Sequence, residues 1–214
     1  MRKFFTIVLG IIILGSLCSC NNQKENITLI NHYEKVANSE KNFTKSVETI
    51  QNLTNENDKL LAQILKEGQK SNQNLLPILN KTRKNVSMIQ EQLKEEKNLL
   101  QKSVTLHNEY KKYANKLDSK ELQTDAFNIN ELYEKRYEAF INYYNQFLDI
   151  TKQENDFINS LSTSKTNIDL LSKQSLNLNY EYEKLDNLIN TFNQLSGNYT
   201  NNEMKFIHKL SSNE

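Results

Sequence analysis

Along almost the whole chain, apolar residues recur at alternating steps of three and four. From Leu75 the spacing runs through Leu79, Thr82, Val86, Ile89, Leu93, Glu96, Leu100, Ser103, His107, Tyr110, Ala114 and Leu117. A second run passes through Ile168, Leu171, Ser175, Leu178, Tyr182, Leu185, Ile189, Phe192, Ser196, Tyr199, Glu203, Phe206 and Leu210. This is the a/d spacing of long helices packed side by side. Polar residues interrupt both seams, which fits imperfect bundle layers better than a parallel zipper. Two further stretches read the same way. One runs from Ile27 to about Lys66 with Ile30, Tyr33, Ala37, Phe43, Val47, Ile50, Leu61 and Ile64; the other runs from about Asn128 to Leu161 with Ile129, Leu132, Tyr133, Tyr137, Phe140, Tyr144, Phe147, Phe157 and Ile158.

Breaks are predicted at 67–69, around Gly68, at 118–121 and at 162–166, where glycine or polar capping residues cluster. Pro77 removes a backbone donor, so it either kinks the second helix or marks its start. Gly197 falls inside the last seam and reads as a weak point in a continuing helix. The expected fold is all-α: an elongated antiparallel bundle of three to four long helices with coiled-coil-like packing. Helices of about 30–45 residues would make a rod of about 50–65 Å. Residues 27–214 are read as one helical-bundle domain.

Composition supports that class. The hydrophobic fraction is 37%, and beyond the first twenty residues only Gly68, Gly197 and Pro77 are available as strong turn formers. A β-protein of this size needs far more punctuation.

The N-terminus changes the picture. Arg2 and Lys3 precede an apolar run from Phe4 to Leu17, the pattern of a secretory signal. Gly10, Gly15 and Ser16 interrupt that run, and it is shorter than the about 20 residues needed to cross a bilayer. Leu17-Cys18-Ser19-Cys20 resembles the lipobox of bacterial lipoproteins, with an aliphatic residue at −3 and a small one before the cysteine. Residues 1–19 are therefore expected to be cleaved between Ser19 and Cys20. The Cys20 thiolate then takes the diacylglyceryl group, whose two palmitate-type chains suffice for stable anchoring. Residues 20–26 form a short polar tether, and the expected location is the extracytoplasmic face of the cell membrane.

Removing residues 1–19 takes away two cations and leaves 25 Lys+Arg against 26 Asp+Glu, a net charge of −1. Nothing there seeks nucleic acid. Only Cys20 remains as a cysteine, so no internal disulfide is possible.

Catalytic and metal-binding signatures are absent from the sequence, so no enzyme, cofactor or metal is expected. His32, His107 and His208 are scattered, and His107 on its seam reads as a buried, hydrogen-bonded core histidine. Residues 92–97 supply helix-favouring charge pairs on a solvated face. Tyr133, Tyr137, Phe140, Tyr144 and Phe147 share one helix face. They read either as core rings, which their seam spacing favours, or as a strip for stacking on sugars. Tyr143 and Tyr113 lie off that face and are the candidate exposed ligand contacts.

Several of these stretches together resemble one family. The lipobox, Tyr33-Glu34-Lys35, the 64–68 break, the 93–97 run and above all Tyr133 to Phe140 (Tyr-Glu-Lys-Arg-Tyr-Glu-Ala-Phe) are similar to the cell-wall-binding lipoproteins of low-GC Gram-positive bacteria, the YkyA-like family. The resemblance implies a membrane-tethered helical protein that meets peptidoglycan or anionic wall polymers without catalysis. The alternative is a helical scaffold or partner of a membrane protein complex with no wall affinity.

Overall fold

The computed structural model describes residues 24–68, 75–162 and 168–212; the signal segment, Ser19 and Cys20 lie outside them. The protein is an all-α helical bundle with no strand among the described residues. Its elements are α1 (Lys24–Ser39), α2 (Phe43–Gly68), α3 (Leu75–His107), a 3-10 turn (Asn108–Tyr110), α4 (Lys111–Ala114), α5 (Lys120–Leu161) and α6 (Ile168–Ser212).

The periodicity locates the core of α3 to α4 throughout: every seam position from Leu75 to Leu117 is buried, polar members included. Pro77 is the third residue of α3, in the first turn, where its missing N–H leaves no helical bond unmade. Ser119 caps α5, its Oγ accepting from the Leu122 N–H at 3.0 Å. α5 consequently starts at Lys120, well before the predicted Asn128.

Two further expectations need correction. The predicted helix from Ile27 to Lys66 is two helices, interrupted at 40–42. Ser39 Oγ turns back to the Val36 carbonyl at 2.7 Å, and the Phe43 N–H bonds the Glu40 carbonyl at 2.9 Å, so a tight turn replaces the α-helical bonds there. The buried phase nevertheless continues through Val36, Glu40, Phe43 and Ser46. The α6 seam also begins later than predicted. No residue from Asp169 to Asn177 is buried, Ser175 included, and burial starts at Leu178. Periodicity belongs to the chain alone, whereas burial needs facing helices.

Gly197 sits mid-helix on an exposed turn, and a methyl group added at its Cα would meet nothing within 4 Å. Gly197→Ala should therefore stabilise the fold by about 0.5–1 kcal/mol, the helix-propensity difference, read as a higher denaturation midpoint at unchanged m-value.

The chain clusters into two compact units, and α3, α5 and α6 each supply residues to both. The first comprises the described residues of Lys45–Glu96 and Asn142–Leu188. Here α3 runs antiparallel to α2, as Ser46 bonds Gln92 and Asn85 bonds Glu56, and α5 antiparallel to α6, as Gln146 bonds Glu181 and Asn177 bonds Gln153. Its core includes Ile64, Leu75, Leu79, Val86 and Ile158.

The second unit comprises residues 24–44, Lys97–Ile141 and residues 189–212. Its core joins Leu29, Tyr33 and Val36 of α1 to Tyr110, Ala114, Ile129, Tyr133, Tyr199 and Phe206. Phe43, Phe140 and Phe192 meet with ring centroids 5.7–5.9 Å apart. Burying each such ring contributes about 2–3 kcal/mol. Glu40 and Arg136 are also buried here.

Candidate functional site

Inside the second unit two charged residues, Glu40 and Arg136, are buried. Glu40, in the turn after α1, and Arg136, in α5, form an ion pair with side chains 8% and 4% exposed. Arg136 Nη2 donates to Glu40 Oε2 at 2.6 Å and Nη1 to Oε1 at 3.0 Å, a bidentate fork. Arg136 Nε donates to Ser196 Oγ at 3.1 Å. Ser103 Oγ donates to Glu40 Oε1 at 2.6 Å, and the Tyr133 hydroxyl lies 2.8 Å from that oxygen and 2.6 Å from Ser103 Oγ. The guanidinium also sits 5.5–5.7 Å from the ring centres of Tyr133, Phe192 and Tyr199. Burial alone would push the Glu40 carboxyl up. The adjacent Arg136 charge and the three donors outweigh it and hold it below the ordinary range.

Beside this pair, His107 is fully buried and stacked on Tyr133 with centroids 3.9 Å apart. Its burial agrees with the sequence reading, and Asn130 is the side chain that offers its ring a hydrogen bond. Burial, then the His32 charge, push its pKa down to about 3. Glu203, half-buried on α6, accepts from the Tyr199 hydroxyl at 2.7 Å, and burial raises its carboxyl to about 7. In the first unit Glu96 is fully buried, and burial raises its pKa well above the ordinary value. The solvated-face reading of 92–97 thus holds for Lys94 and Glu95 but not for Glu96.

The structure corrects one candidate contact. Tyr143 is 2% exposed and points its hydroxyl at Glu96 Oε2, 3.5 Å away, so it cannot meet a ligand at the surface. The buried arc of α5 passes through Tyr133, Arg136, Phe140, Tyr143, Tyr144 and Phe147. It takes in Arg136 and Tyr143 beside the apolar strip read from sequence and leaves Tyr137 at its edge. Tyr137 is correspondingly half-buried, with its hydroxyl on Gln101 Oε1 at 2.6 Å. The other four rings of the strip are core. Tyr113 is half-buried with its ring 5.1 Å from that of His32. Among the described residues, no group of three or more His, Cys, Asp or Glu could hold a metal ion.

Sequence reading missed Glu40 and Arg136. The available signal was their three-four spacing: both charges fall in phase with buried apolar neighbours on separate helices.

On the outside of the same unit α5 and α6 leave a cleft of about 180 Å³. Asp125, Asn128 and Leu132 line one side, Asn202, Lys205 and Lys209 the other, and Ile129 and Phe206 also contribute. Lys209 Nζ bridges Glu121 Oε1 at 2.7 Å and Asp125 Oδ2 at 2.6 Å. Asn202 Nδ2 donates to the Asn198 carbonyl at 2.7 Å. No polar residue of this cleft stood out in the sequence, since exposed Asn and Lys are common along the whole chain.

Comparison with known proteins agrees with the lipoprotein reading of the sequence. Residues 24–209 match the model of the YkyA family, described as “Putative cell-wall binding lipoprotein”. The chain is 26% identical over 183 residues to “Uncharacterized lipoprotein YkyA” of Bacillus subtilis (strain 168), covering 86% of this chain and 82% of that protein. No solved structure matches.

Proposed function

Since the chain belongs to the YkyA lipoprotein family, we propose that it is a non-catalytic wall-binding protein held outside the cell membrane by lipid on Cys20. The observation that carries this reading is the extent of the family match, which takes in all or nearly all of every described helix. The lipobox at Leu17 to Cys20 supports the anchor. No described helix is long and apolar enough to cross a membrane. The helical bundle presents polar helix faces outward, and peptidoglycan or its attached anionic polymers are the proposed partners.

Two measurements test this. Cys20→Ala is expected to abolish lipid on the mature N-terminus by mass spectrometry and to release the protein from the membrane fraction. A wild-type N-terminus carrying no lipid would remove the anchor from the reading. Sedimentation of the protein with purified peptidoglycan, with and without its anionic polymers, is expected to show saturable binding. Absence of binding to either would end the wall-binding reading.

A further inference from the structure

We propose that the α5–α6 cleft of the second unit binds an N-acetylated oligosaccharide through the carboxamides of Asn128 and Asn202, an assignment that rests on the wall-binding reading above. Three features of the cleft choose that chemistry. The first is charge. Lys209 is already neutralised between Glu121 and Asp125, so the four charged side chains, with Lys205, balance. A phosphate polymer therefore meets no cationic field here, whereas an uncharged sugar chain needs none.

The second feature is the match of polar groups. Asn128 and Asn202 are exposed, and each carboxamide offers a donor and an acceptor, the complement of an acetamido C=O and N–H. The Asn202 bond to the Asn198 carbonyl fixes its side chain against the helix, leaving its second N–H and Oδ1 for a ligand. Preorganised amides lose little entropy on binding. The third is shape. Half-buried Leu132 supplies an apolar wall for an acetamido methyl beside these polar groups. The stripe from Asp125 to Leu132 rises about 10 Å along α5, the length of a disaccharide, and α6 lies antiparallel beside it.

The test uses the full mature lipoprotein in detergent and labelled N-acetylchitotetraose, with cellotetraose and polyglycerol phosphate as comparators. Saturable binding of N-acetylchitotetraose, insensitive to salt, is expected. Asn128→Ala with Asn202→Ala should weaken it at least about tenfold, as loss of two ligand hydrogen bonds requires. Both residues are exposed, so an unchanged melting temperature will show that the fold is intact. Equal binding of cellotetraose, salt-sensitive displacement by polyglycerol phosphate, or a double variant that binds as the wild type does would overturn the assignment. Sedimentation on peptidoglycan separates the two proposals. Wild-type protein that sediments on peptidoglycan but does not bind N-acetylchitotetraose upholds wall binding and overturns the cleft alone. Wild-type protein that binds N-acetylchitotetraose in the cleft but not the wall supports the cleft and overturns the wall reading.

Discussion

Arg136→Met is expected to lower the unfolding free energy by about 3–5 kcal/mol, because it leaves the Glu40 carboxylate buried without a cation. The size of the effect comes from what remains, not from the contact removed. Ser103 and Tyr133 can still donate to Glu40 Oε1, but Oε2 loses the bond that Arg136 makes to it. Glu40 should then take up a proton near neutral pH, as buried carboxyls without a counter-charge do. The double variant Glu40→Gln with Arg136→Met replaces both charges by neutral groups of similar volume. It should recover most of the loss, since a neutral pair in this position costs about as much as, or less than, a buried ion pair. Urea denaturation of the two single variants and the double variant closes the cycle. A double variant no more stable than Arg136→Met alone would show that the guanidinium acts by packing on Tyr133, Phe192 and Tyr199, not by charge.

Stability should fall by about 3 kcal/mol between pH 7 and pH 4 through His107 alone, its pKa being about 3 in the fold against 6.5 unfolded. The neutral ring is the form the buried site accepts. Its contribution is complete above 6.5 and is lost as pH falls toward about 3. Glu40, held below the ordinary carboxylate range, acts in the same direction at the acid end. Glu203 acts the opposite way. Its folded pKa of about 7 exceeds the unfolded 4.5, so its stabilising protonated form is complete below 4.5 and is lost as pH rises through 7. His107→Phe keeps an aromatic ring against Tyr133 and should flatten the acid limb of a melting-temperature profile. Glu203→Gln should flatten the limb from 4.5 to 7 and raise stability at pH 8 by about 1–3 kcal/mol, reduced because the side chain is only half-buried. Acid limbs that coincide for wild type and His107→Phe would mean that the ring is hydrated in solution and titrates normally.

The helices were legible because their information is local. A three-four seam and polar capping residues such as those at 118–121 are properties of a few consecutive residues. They pointed to the fold class, three of the four long helices to within a few residues at most of their ends, and the burial of Ser103 and His107 on a polar-interrupted seam. The helix break at 40–42 was missed because its buried phase carries on across the turn, so periodicity alone sees one helix there.

The chain by itself determined most of the residues that form helices and the apolar seam of each, and a signal-like segment with a lipobox-like sequence precedes them. Only the tertiary structure decided how each helix is rotated about its axis and what its odd residues meet. An amphipathic helix has a buried arc whose edges can take in or leave out a flanking position, and sequence periodicity cannot choose between those edges. On α5 the choice falls to Arg136, which swings inward because Glu40, 96 residues away in sequence, is in the opposing layer. The buried arc of that stretch takes in Arg136 along with Tyr133 and Phe140, while Asp125, Asn128 and Leu132 line the cleft beside α6. The energy of a charge inside a protein depends on its partner across space, and no spacing along one helix records who that partner is.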